Sequence, residues 1–103
     1  MSSSAVAIAN LLYQYAERLD GGDFEGATAL FLHARIKVGK DAPLIDSTGM
    51  LRLLRELVIL YPCGTPRTRH VTSNPIIEID EAGNRATVRS CYTVFQTTEG
   101  LPL

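Results

Sequence analysis

Near residue 66 the apolar spacing of this chain changes from a period of about 3.6 to a period of about 2, and that switch limits the fold more than any other feature. Upstream, Ala5, Ile8, Ala9, Leu12, Tyr15, Ala16 and Leu19 recur at three- and four-residue spacings, which predicts a helix over 4–19 with one apolar stripe. Asp20 ends the stripe. Gly21 and Gly22 stop the helix, because glycine accepts the left-handed conformation that closes one. Asp23 then predicts the N-cap of a short second helix, "FEGATALFL", with Glu25 suited to the dipole of its first turn. "ARIKVG" reads as a short strand and "KDAPLID" as a loop. Ser47 or Asp46 caps a third helix from about Gly49 to Tyr61, with Met50, Leu54, Leu57, Val58 and Tyr61 on one face and Pro62 ending it. Beyond the switch, 67–80 and 85–97 read as two strands joined by the turn residues "EAGN".

Helices followed by a hairpin predict an α+β domain with helices 4–19 and 49–61 on the concave face of an antiparallel sheet. A chain of 103 residues, 46% apolar and 20% charged, supports one domain over 1–103 with a modest core. In the first long strand His70, Thr72 and Asn74 alternate to one side. Pro75 and the adjacent Ile76 and Ile77 break that alternation, which predicts a bulge that bends the strand and curves the sheet. Polar residues on a concave face beneath helices line a pocket instead of a dry core.

Ten basic residues against eleven acidic ones, with no basic run, argue against a nucleic-acid partner. The N-terminal segment has neither a basic leader nor a long apolar run, so no signal peptide or membrane partner is expected and the expected location is cytoplasmic. Cys63 and Cys91 lack a CxxC pairing and a nearby histidine, which reads as no metal site and as two free thiols, with a disulfide between them as the competing reading. Arg67, Arg69 and Arg89 read as a solvated face with Glu78 and Asp80, and His33 as a dipole partner at a helix end.

Three stretches, "YQYAERLDGGDFEGATALF", "TPRTRHVTSNPIIEID" and "ATVRSCYTVFQ", together resemble the nuclear transport factor 2-like superfamily. The resemblance is to its SnoaL-like branch, which includes polyketide cyclases and scytalone dehydratase-like enzymes, and it spans nearly the whole chain. It implies a cone-shaped, curved antiparallel sheet closed by three N-terminal helices around an apolar cavity. Members often dimerise through the outer sheet face, here residues such as Arg89, Cys91 and Thr93. They usually continue past the equivalent of "TEGLPL" with two more strands, so the sheet is expected to be truncated at the C-terminus. An open strand edge then favours pairing with another chain, as a homodimer or higher homo-oligomer.

Dehydratase-like members use an aspartate ending the first helix and a histidine opening a central strand, which the resemblance maps onto Asp20 and His70 as a catalytic pair. A carboxylate bonded to one imidazole nitrogen fixes the tautomer and supports proton transfer by the other at a carbon beside a carbonyl. The competing readings are a solvated helix-end aspartate and a structural histidine. Tyr13, Tyr15 and Tyr92 are candidates to offer hydroxyls to a substrate carbonyl, with core packing as the other reading of their spacing, and Asn74 is the fourth substrate-binding candidate. Leu19 stands where the scytalone-type enzyme has a water-orienting tyrosine, and approximately Gln96 where it has a second histidine, so scytalone is not the expected substrate. The expectation is a lyase or isomerase, without cofactor or metal, acting on a small hydrophobic ligand that is a hydroxylated or polycyclic carbonyl compound. The alternative is a non-catalytic binding or assembly module of the same fold, favoured by a cavity packed shut or by Asp20 turned to solvent.

Overall fold

A computed structural model of the chain describes residues 3–97. Helix α1 (Ser4–Asp20) begins at Ser3, whose hydroxyl accepts from the Val6 N–H. It closes at Gly21 and Gly22; Gly22 has φ of 82°, and a Cβ there would run into the Gly64 carbonyl, so the corner needs glycine for both conformation and space. Asp23 caps α2 (Phe24–Ala29) by accepting from the Gly26 N–H. This helix is shorter than "FEGATALFL". Leu30, Phe31 and Leu32 donate only three residues back, and the Thr28 hydroxyl bonds the carbonyls of Phe24 and Glu25, so the chain tightens into turns.

Strands β1 (Ile36–Lys37) and β2 (Leu44–Ile45) pair antiparallel, so the segment expected as a loop contributes a strand too short for alternation to register. Helix α3 (Ser47–Leu57) is capped by Asp46 and ends four residues before Tyr61. Val58 is already extended, at φ −97° and ψ 123°, and Tyr61 is held in a turn by bonds to Thr65 and Gly64. Pro62 disfavours helical geometry at Tyr61 and brings no N–H of its own, which explains the early stop.

Strands β3 (Thr68–Asp80) and β4 (Arg85–Gln96) form one antiparallel hairpin. Pairing runs from Thr68 opposite Gln96 to Ser73 opposite Cys91, then resumes one residue out of step at Ile76 opposite Arg89. The expected bulge therefore falls at Asn74 and Pro75, with Asn74 left-handed at φ 52°.

Leu19, Phe24 and Leu54 are buried where the three helices meet, with Tyr15, Met50, Leu51 and Val58 packed against them. Helix α1 lies across β3, as expected, whereas α3 packs mainly on α2 and meets the hairpin across an opening. Leu57, expected on the core face, is accordingly 70% exposed. Among the described residues the sheet is a hairpin plus a separate two-stranded ribbon, an arrangement that is α+β but not a closed cone. No helix among them is long and apolar enough to cross a membrane.

Candidate functional site

The end of α1 meets the opening of β3, and both are fixed by local backbone geometry. The Gly21–Gly22 stop leaves Asp20 as the last helical residue. On the strand side, buried Pro66 precedes Arg67, which sits at φ 55°, an uncommon conformation for a side chain of this size. Three contacts hold it there. The Arg67 N–H bonds the Thr65 hydroxyl at 3.2 Å, its carbonyl accepts from the Thr97 N–H at 3.0 Å, and its guanidinium lies 4.8 Å from the Tyr61 ring centroid. This sets the rotation with which Thr68 and His70 enter the strand.

Asp20 accepts three hydrogen bonds from that strand opening. The Thr68 hydroxyl donates to Oδ1 at 2.7 Å, the His70 backbone N–H to Oδ2 at 2.7 Å, and His70 Nδ1 lies 2.6 Å from Oδ1. The Asp20 and His70 side chains are only 14% and 17% exposed. An ionised carboxylate can only accept, so the ring presents Nδ1–H to it and, when neutral, carries its lone pair on Nε2. Among the described residues Nε2 has no hydrogen-bond partner and is not shut off from solvent.

His70 stands at the junction of three openings. One of about 480 Å³ is shared with Tyr13, Glu17, Asp20 and Thr72. A second, about 210 Å³, lies among Leu12, Tyr15, Thr72, Ser90 and Tyr92. The third, about 390 Å³, reaches α3 and is walled by Leu54, Leu57, Val58, Ile59 and Val94. Tyr15, Thr68 and Gln96 also border the third opening, so polar and apolar lining meet around a single imidazole, which suits a ligand that carries both.

The Tyr92 ring is 6.0 Å from His70, tilted by 33°, and the residue is 71% exposed. Tyr15 packs edge-on against Phe31 with centroids 5.2 Å apart. Burial, followed by the nearby Tyr92, pushes the Tyr15 phenol above the ordinary tyrosine range, so its hydroxyl stays a donor at neutral pH. Tyr13 is half exposed at the first opening. Asn74 does not join them. It is exposed at the bulge and lines none of the three openings, because the extra residue interrupts the alternation that turns His70 and Thr72 inward.

Two neighbours escaped the sequence reading. Thr68 is two positions before His70 and shares its alternation, but threonine is ordinary in a strand and drew no notice. Ser90 enters the second opening from β4, and its place depends on the register past the bulge. Elsewhere Arg89 and Glu78 pair at 3.3 Å on the open surface, and Cys63 and Cys91 are exposed free thiols. No group of three or more potential metal ligands converges among the described residues.

Comparison with curated proteins gives no match. Comparison with protein-family models matches the SnoaL-like domain over residues 2–101. With that coverage, and with helices leading into an antiparallel hairpin, the chain belongs to the SnoaL-like domain family of the nuclear transport factor 2-like superfamily.

Proposed function

We propose that the protein is a cofactor-independent lyase or isomerase in which His70 moves a proton at a carbon beside the carbonyl of a hydroxylated or polycyclic compound. The carrying observation is that Asp20 engages Nδ1 at 2.6 Å while Nε2 has no partner among the described residues and borders open space. Nε2 takes the proton, Asp20 stabilises the imidazolium, and the electron pair left on carbon delocalises to the carbonyl oxygen as an enolate. Tyr15 and Tyr92 share the second opening with His70 and offer hydroxyls to that oxygen, and Tyr13 serves the first opening. The imidazolium then returns its proton to a departing hydroxyl in dehydration or to a different carbon in isomerisation. In cyclisation the enolate carbon attacks a second carbonyl, whose oxygen takes the proton.

The bonded Asp20 and the open space beside the ring favour this reading over a non-catalytic binding or assembly module. The working form in this reading is a homodimer that buries outer-face residues Arg89, Cys91 and Thr93, covering the side of the hairpin on which no helix packs among the described residues.

Solvent-deuterium incorporation tests the chemistry even before a product is identified. A panel of β-hydroxy ketones and polycyclic aromatic ketones is incubated with the protein in D₂O and read by mass spectrometry. Incorporation at the carbon beside the carbonyl, lost in His70→Ala, is expected. Panel compounds that bind without any exchange would reverse the choice in favour of a binding module.

A further inference from the structure

We propose that Thr68 is the positioning residue of the Asp20–His70 pair, an inference that rests on the proton-transfer reading above. The Thr68 hydroxyl donates at 2.7 Å to Oδ1, the same oxygen that engages His70 Nδ1 at 2.6 Å. The other oxygen, Oδ2, is taken by the His70 backbone N–H at 2.7 Å. The backbone N–H anchors Oδ2 but lets the carboxylate pivot about that contact, so without a further donor Oδ1 would follow the imidazole as it swings. Thr68 supplies a contact that does not move with that ring, because it comes from a separate residue on the same face of β3.

Thr68 is suited to this. Its β-branched side chain has few rotamers in a strand, so the hydroxyl direction follows from the backbone. The backbone is fixed in turn by Arg67 at φ 55° and by pairing of Thr68 with Gln96. The second donor also draws charge from Oδ1, which makes that oxygen a poorer acceptor for a proton leaving Nδ1. When Nε2 takes a substrate proton, Nδ1–H then stays on the ring and the imidazolium keeps its proton for return.

The test uses the full chain labelled with ¹⁵N, without substrate, and compares Thr68→Val with Thr68→Ser. Valine keeps the branched shape without the hydroxyl and serine keeps the hydroxyl without the branch. The unaltered protein and Thr68→Ser are expected to show one imidazole tautomer and a slowly exchanging Nδ1–H. In Thr68→Val that proton should exchange about tenfold faster, the scale set by one charge-assisted hydrogen bond. Unchanged exchange in a folded Thr68→Val would overturn the proposal. Should Thr68→Val not fold, the unaltered protein still decides: a nuclear Overhauser contact between the Thr68 hydroxyl proton and Nδ1–H supports the clamp, and its absence overturns it. The two readings fail separately. Deuterium incorporation by Thr68→Val at the unaltered rate would remove the positioning role and leave His70 as base, whereas a Thr68-dependent Nδ1–H with no incorporation by any variant would remove the reaction alone.

Discussion

Asp20 carries three hydrogen bonds at the end of a helix, where a solvated carboxylate would carry none from the protein. Asp20→Asn keeps the volume but removes the anion that supports an imidazolium, and His70→Ala removes the base. Each single change is expected to lower turnover by about 10²- to 10⁴-fold, the usual range for positioned acid–base groups. Because the two act as one unit, the double variant should be scarcely worse than the worse single one, measured as kcat/KM. Additive losses would contradict a shared role. The contact between the two side chains was expected because a helix-ending aspartate before two glycines and a strand-opening histidine resemble a family pattern, from which Leu19 and about Gln96 depart. Asn74 was misread for a physical reason: alternation was counted up to the bulge, where the count no longer applies.

At the scale of elements, what the sequence disclosed was periodicity and punctuation. Both interior helices start at the expected kind of cap, Asp23 and Asp46. Their ends were less legible, because α2 yields to three-residue turns and α3 to the extended backbone of Val58, competitions that apolar spacing does not record. The bulge is testable by itself. Asn74 holds φ of 52°, so Asn74→Ala should cost about 1–2 kcal/mol in urea unfolding, the penalty for left-handed backbone, while Asn74→Gly stays near neutral. Equal effects of both would show that the strand relaxes out of that conformation. The helical junction makes a pH prediction. Burial raises the Tyr15 phenol, so its folded form holds a proton that its unfolded form releases at a lower pH. The stabilisation is therefore complete below the unfolded value near pH 10 and is lost as pH rises through the folded one. Thermal unfolding of Tyr15→Phe should lose less stability than the unaltered protein above about pH 10.

The whole molecule is unbalanced, with helices on one side of the hairpin and nothing on the other among the described residues. Along that outer face the cross-strand rows are Arg69–Phe95, Val71–Thr93, Ser73–Cys91, Ile76–Arg89 and Glu78–Thr87. Rotation about a two-fold axis through the central row would set Arg69 against Glu78 and Val71 against Ile76 of a second copy, with Cys91 facing its own equivalent. Charge and apolar character are thus self-complementary, as an isologous interface requires. A dimer is expected by light scattering at high micromolar concentration, and Arg69→Glu should dissociate it. In Cys63→Ser a short thiol-to-thiol cross-linker should join the two Cys91 side chains, which both point into the gap of about 10 Å between stacked sheets. A monodisperse monomer would exclude the arrangement. None of this symmetry is visible in the linear sequence, since it exists only once the bulge has fixed the register. The site itself is tested most directly by a crystal structure with a panel ketone that exchanges deuterium bound to the protein. Nε2 of His70 should lie within hydrogen-bond or proton-transfer reach of the carbon beside the ligand carbonyl while Asp20 still holds Nδ1. A ligand seated away from His70, or a His70 ring parted from Asp20 by more than one bridging water, would contradict the dyad.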